Sequence, residues 1–262
     1  MKKLALAALL SVGVVAPAMA QFVNGGFETG NTTGWVTGTG PRYFVDNPQL
    51  VPSDYLPGGK YYDAGLQHSA VVSAGTMAHT NGTLNQVYSG NYSFRAEDLS
   101  SGGYASAITQ RVNNYQSDSI FFAWAATLEG AHGVDQAATF QLVLTDNTTG
   151  NVLVDRQYNA ADNGSGVDSR FTLSSDNFYF TSSWQVESLD VSKFKGDSFT
   201  LTLLAADCSP SAHEGTVYLD GFGAVTPPTT PVPEASNVAM LMGGLGLFAV
   251  LARRRRAAVG TR

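Results

Sequence analysis

The 262-residue chain has a single cysteine, Cys208. No intramolecular disulfide can form, so the fold must rest on its core alone, and Cys208 is either a buried thiol or a single reactive one. Charge is scarce as well. Asp, Glu, Lys and Arg make up 14% of the residues, and between positions 21 and 225 eight Lys/Arg stand against twenty Asp/Glu, a net of −12. Such a surface excludes nucleic acid as a partner and suits an extracellular protein, or one whose carboxylates hold calcium. The same region lacks an apolar stripe at helical spacing, a G-x-S-x-G elbow and an H-E-x-x-H zinc motif. His68, His79, His132 and His213 have no serine or cysteine nucleophile motif beside them. Glu97 and Asp98 are adjacent, and neighbours on a strand point to opposite faces, so they do not suggest a pair of glycosidase acids. The expectation is a protein that is not an enzyme.

What the chain does have begins at its two ends. Met1-Lys2-Lys3, an apolar run from Leu4 to Val15 and the A-x-A site Ala18-Met19-Ala20 make residues 1–20 a secretory signal peptide, with the mature protein starting at Gln21. Residues 21–225 are long enough for one domain with its own core. Residues 226–234 form a Pro/Thr linker whose prolines favour a stiff, extended spacer. Residues 235–252 carry no charge and, at about 1.5 Å per residue, nearly match the hydrocarbon thickness as one short transmembrane helix. Arg253, Arg254, Arg255 and Arg256 then open a tail, 253–262, that the positive-inside rule keeps cytoplasmic. A plain single-span anchor accounts for this pattern. So does a sorting signal: Val232-Pro233-Glu234, a short span and a terminal arginine cluster together resemble the PEP-CTERM signal of exopolysaccharide-producing Gram-negative bacteria. Ala235 stands where the commonest form of that motif has a second proline. The resemblance implies an exosortase as partner, an inner-membrane-anchored precursor, and a destination at the cell surface or in the extracellular matrix.

Between the ends, short alternating runs separated by polar turns dominate. Tyr92–Glu97, Ser106–Val112, Ile120–Leu128, Phe178–Phe180, Trp184–Leu189 and Phe199–Leu204 read as strands. Phe140–Asp146 and Asn151–Asp155 flank a four-residue turn, Asn147–Gly150, and form a hairpin. The expected fold is all-β, an antiparallel jelly-roll-like β-sandwich.

Candidate site residues fall into three groups. Tyr43, Tyr55, Tyr61 and Tyr62 recur among polar residues in a stretch broken by prolines and glycines; they either stack on sugar rings from a binding loop or pack on the sheet. Two polar loops, one with Glu129, His132 and Asp135 and the other with Asp207, His213 and Glu214, offer histidines and carboxylates for a metal or a sugar hydroxyl, or are only turns. The opening Asn24-Gly-Gly-Phe-Glu28, with Trp35 after it, resembles the start of galactose-binding-like jelly rolls, the fold of many carbohydrate-binding modules. That resemblance implies a structural calcium on Glu28 and on Asp220 of the last strand. The stretch from Asp207-Cys208 to Asp220 also resembles a pattern near the end of surface-anchored adhesion domains. Together these features suggest non-catalytic binding of exopolysaccharide or another surface glycan, with a structural or adhesive matrix protein as the alternative and a polysaccharide hydrolase behind both.

Overall fold

A computed structural model describes residues 21–100, 102–161, 166–210 and 213–229. Among them twelve strands form two antiparallel sheets packed face to face, the all-β sandwich expected. One sheet has the order β1 (Val36–Pro41), β4 (Tyr104–Val112), β11 (Phe199–Ala206), β6 (Thr139–Asp146), β7 (Asn151–Asn159). The other runs β2 (Ala70–Ser73), β3 (Tyr92–Ala96), β12 (Gly215–Ala224), β5 (Ser119–Glu129). Beyond β5 its long free edge is shared by β9 (Phe178–Thr181), which pairs with β8 (Phe171–Leu173), and by β10 (Gln185–Asp190).

Period-two alternation explains the core. Ile120, Phe122, Trp124, Ala126 and Leu128 of β5 meet Phe140, Leu142 and Leu144 of β6 and Phe199, Leu201 and Leu203 of β11 in one cluster between the sheets. The hairpin β6–β7 has the expected turn. Asp146 pairs with Asn151, its carboxylate accepts from the Thr148 N–H at 2.8 Å, and Gly150 takes φ +79° to close the loop.

Among the described residues no strand precedes Val36. Residues 22–35 instead form a knot of turns that plugs one end of the sandwich with Phe22, Phe27 and Trp35. Trp35 stacks on Phe222 at 5.0 Å, and Phe27 on Phe94 at 5.3 Å. The knot is locked to β12, where the Phe222 N–H donates to the Gly25 carbonyl at 2.9 Å. A bulge follows Asp220, with Gly221 and Gly223 at positive φ, so that β12 curls round the plug.

Both outer faces carry loops. Residues 42–68 lie over the five-stranded sheet, and residues 74–90 cover the other, where Met77 packs with Ala125 and Tyr218. Thr226, Pro227, Pro228 and Thr229 do not stand off from the domain but line a cavity beside Asp220. No helix among the described residues is long and apolar enough to cross a membrane. The signal peptide, the motif Val232–Glu234, the span 235–252 and Arg253–Arg256 lie outside the described residues.

Gly25 has no room for a side chain, since a Cβ there would collide with the Phe222 carbonyl. Gly25→Ala is therefore expected to lower stability by about 1–3 kcal/mol, as overpacking does. Chemical denaturation of variant and parent checks this, and equal midpoints would show that the plug is not held as described.

Candidate functional site

The loop 42–68 sits on a surface prepared for it. Gly38 and Gly40 of β1 face outward with Ala105 and Ala107 of β4 and Ala206 of β11, and a Cβ at either glycine would strike the Tyr55 or Tyr61 carbonyl. Glycine alternating in a strand marks this close approach of backbone to backbone. Tyr55 is fully buried against Ala105, Ala107, Leu204 and Ala206, with Tyr61 against it at 5.5 Å. Tyr61 and Tyr62 are half-buried. Three of the four candidate tyrosines thus fasten the loop to the sheet, and only Tyr43, 47% exposed, presents much of its ring. Its neighbour Phe44, missed in the sequence, is 82% exposed at φ +63°.

Beside the fastened loop the same sheet face stays open. Thr109, Thr202, Thr200, Val143, Thr145 and Asn147 form the floor of a groove of about 380 Å³ walled by Val51, Pro52 and Leu56. The floor hydroxyls are linked, with Thr109 and Thr202 2.7 Å apart and Asn147 Nδ2 donating to Thr200 at 2.9 Å. Across Leu50 lies a second hollow of about 360 Å³ lined by Asn47, Pro48, Gln141, Asp155 and Gln157. Gln141, 9% exposed, donates to Asp155 Oδ1 at 2.8 Å, while its buried Oε1 has no hydrogen-bond partner among the described residues. Sequence alternation alone could have placed Gln141, Val143 and Thr145 together on the outer face of β6.

The start of the loop is held by Arg42, which is wholly buried. Its guanidinium donates through Nε to the Val45 carbonyl at 3.0 Å, and also to the Asp207 carbonyl and Asn47 Oδ1. Asn47 in turn donates to the Val134 carbonyl at 2.6 Å and the Ala137 carbonyl at 3.2 Å. Burial lowers the Arg42 pKa to about 10, which leaves it protonated at neutral pH.

At one end of the sandwich the loops bring together all four histidines and several carboxylates. His132 Nε2 and His213 Nδ1 are 3.2 Å apart, and Cys208 Sγ is 3.2 Å from the same Nδ1. Cys208 is buried. Asp135 is exposed, and its side chain makes no hydrogen bond or ion pair among the described residues. Asp207 does not face this trio. Its carboxylate accepts the N–H groups of Gly103, Tyr104 and Gly215 at 3.0 to 3.2 Å, tying β4 to β12, and burial with Glu97 nearby pushes its pKa up to about 8. His79 stacks on Phe178 at 3.6 Å and reaches Asp176 at 2.7 Å and Glu214 at 3.5 Å. Glu97 and Asp98 correct the expectation of opposite faces: β3 ends at Ala96, Glu97 takes φ +63°, and His68 Nδ1 reaches Glu97 at 2.6 Å and Asp98 at 3.6 Å.

Glu28 and Asp220 line one cavity of about 350 Å³ at the other end. Asp220 is 2% exposed and meets no Lys, Arg or His among the described residues; its Oδ2 accepts from the Ser89 N–H at 2.8 Å. Burial pushes its pKa up to about 7, with the Glu28 charge acting in the same direction. Glu28 is exposed and accepts from the Asn91 and Tyr92 N–H groups at 3.0 to 3.1 Å. Two carboxylates with no counter-cation among the described residues, set among oxygen-bearing turns, are a donor set that a hard cation such as calcium fits.

No protein-family model matches the chain, and no curated protein matches it. Among solved structures, TmCBM61 in complex with β-1,4-galactotriose has a TM-score of 0.40 at 14% identity, covering 79% of this chain and 97% of that one. CBM28, a non-crystalline cellulose specific carbohydrate-binding module, has a TM-score of 0.38 at 13% identity over 76% of this chain and 91% of that one. The K1 cleaved adhesin domain of Lys-gingipain from Porphyromonas gingivalis W83 has 0.33 at 9% identity over 74% and 92%. Each is a likeness of β-sandwich architecture.

The hydrogen bond to Glu97 holds the His68 pKa above its ordinary 6.5. A raised folded pKa means that the pair's stabilisation is fully present below the unfolded value and is lost as pH rises through the folded one. The melting temperature of His68→Gln should accordingly fall furthest below the parent at pH values under 6.5, and the gap should shrink as the pH is raised above it. A gap independent of pH would remove the pair's electrostatic role.

Proposed function

We propose that this chain is an exported cell-surface or matrix protein whose sandwich binds carbohydrate without catalysis, on the open outer face of the five-stranded sheet. The observation that carries this reading is the groove of linked threonine hydroxyls and the Asn147 amide beside an apolar wall, continued across Leu50 by the polar hollow that Gln141, Asp155 and Gln157 line. Sugar rings offer both hydroxyls and apolar C–H faces, and the wall at Val51, Pro52 and Leu56 suits the latter. Binding at one such groove is weak, and many copies at a surface would strengthen it. The host's exopolysaccharide is the ligand we favour, because the tail resembles a PEP-CTERM signal handled by an exosortase. Calcium on Glu28 and Asp220 would hold the plugged end together. Burial of Tyr55 favours the alternative, a structural matrix protein in which the loop is packing and nothing binds beside it.

Sedimentation of the full chain with purified exopolysaccharide separates the two. The parent should co-sediment, and Gln141→Leu with Thr202→Val should weaken that by about tenfold, roughly the value of one or two net hydrogen bonds. No co-sedimentation of the parent would leave the structural reading. For the cation, calcium should raise the melting temperature of the parent over that in chelator, by mass action on the native state, and should not do so in Glu28→Ala or Asp220→Asn. Equal shifts in all three proteins would place calcium elsewhere.

A further inference from the structure

The His132, Cys208 and His213 trio plays no part in the groove or at the plugged end. We propose that these three residues form a transition-metal site, a His2Cys centre for a borderline cation such as zinc with a fourth position open to solvent.

Three donor atoms from two loops converge at this end of the sandwich. Cys208 Sγ, a His132 nitrogen and a His213 nitrogen lie within 4.8 Å of one another. His213 Nδ1 is the hub, with His132 Nε2 and Cys208 Sγ each 3.2 Å away. One cation between them would be within reach of all three donors. Zn–N of about 2.0–2.1 Å and Zn–S of about 2.3 Å at tetrahedral angles place ligand atoms about 3.3–3.6 Å apart; both pairs that include His213 Nδ1 stand close to this at 3.2 Å, and the third pair lies within 4.8 Å. Nitrogen and sulfur donors select zinc or copper over calcium and magnesium, so this centre does not compete for the cation at Glu28 and Asp220.

Separate parts of the fold hold the trio. Cys208 follows β11, and its N–H donates to the His213 carbonyl at 3.0 Å, which pins the return into β12. His132 lies in the β5–β6 loop at φ +61°, a left-handed conformation of the kind found at ligand clamps, and the Ala131 N–H donates to the Ala160 carbonyl at 3.1 Å beside it. Since β11 and β12 belong to different sheets, a metal here staples the sandwich across its open end. Cys208 is buried while both histidines are half-buried, so the thiolate lies beneath and the vacant coordination position faces outward.

Titration of the reduced, chelator-treated full chain with Co2+, then displacement by Zn2+, tests the site. One equivalent of Co2+ should produce visible d–d bands and a near-ultraviolet thiolate-to-cobalt charge-transfer band, and Zn2+ should abolish both. Cys208→Ser should lose the charge-transfer band, and His213→Gln should weaken binding by at least about tenfold, the loss that even an outer partner of a metal ligand brings. Glu28→Ala should keep the full spectrum. Absence of the charge-transfer band in the parent, which needs no variant to fold, would overturn the proposal, as would unchanged affinity in a His213→Gln protein with native circular dichroism.

Discussion

A buried guanidinium organises the functional half of this molecule. Arg42 enters the interior without a carboxylate partner within ion-pair distance among the described residues and is held by carbonyl and amide oxygens instead. Placing a charge where water cannot reach it is costly unless its donors are matched, and the planar fork of arginine matches several acceptors at once, which a lysine cannot. The acceptors belong to three separate stretches: the loop 42–50, the end of β11 at Asp207, and through Asn47 the β5–β6 loop. One side chain therefore fixes both the start of the loop 42–68 and the approach of the loop that bears His132.

The shortage of basic residues shapes the opposite side of that end. With eight Lys/Arg in the domain, buried and half-buried acids cannot all find one. Histidines stand in, His68 beside Glu97 and Asp98, and His79 between Asp176 and Glu214. Asp207 has backbone N–H groups instead, which stitch two sheets together. With His68 held above its ordinary 6.5 and Asp207 pushed up to about 8, these two groups change charge in or near the neutral range, where lysine-paired carboxylates would be insensitive.

Most of the sandwich was legible because alternation is a local property. The strands of Ile120–Leu128 and Phe140–Asp146 followed from period two, and the four-residue turn at Asn147–Gly150 from its glycine. The opening segment was not legible as turns, since Phe22, Phe27 and Trp35 carry the apolar signal of a strand while serving as a plug. Glu28 and Asp220 were paired through a resemblance, and the fold does bring them to one cavity. The tyrosine loop was ambiguous because burial of Tyr55 depends on the small residues Ala105, Ala107 and Ala206 and on Gly38 and Gly40, which lie far away in sequence. Residue type located the His132 and His213 loops, but nothing local tied Cys208 to His132, 76 positions apart.

The course of β12 sets a polarity on the whole domain. Its first residue follows the His213 loop, and its last leads into Thr226–Thr229, whose prolines rest in the cavity beside Asp220. Ten residues at about 3.3 Å each would separate these ends by roughly 30 Å at full extension, and the bulge after Asp220 shortens that span. The point where the described chain leaves the domain, at Thr229, consequently lies at the pole opposite Cys208 and its two histidines, with the groove along the flank between them.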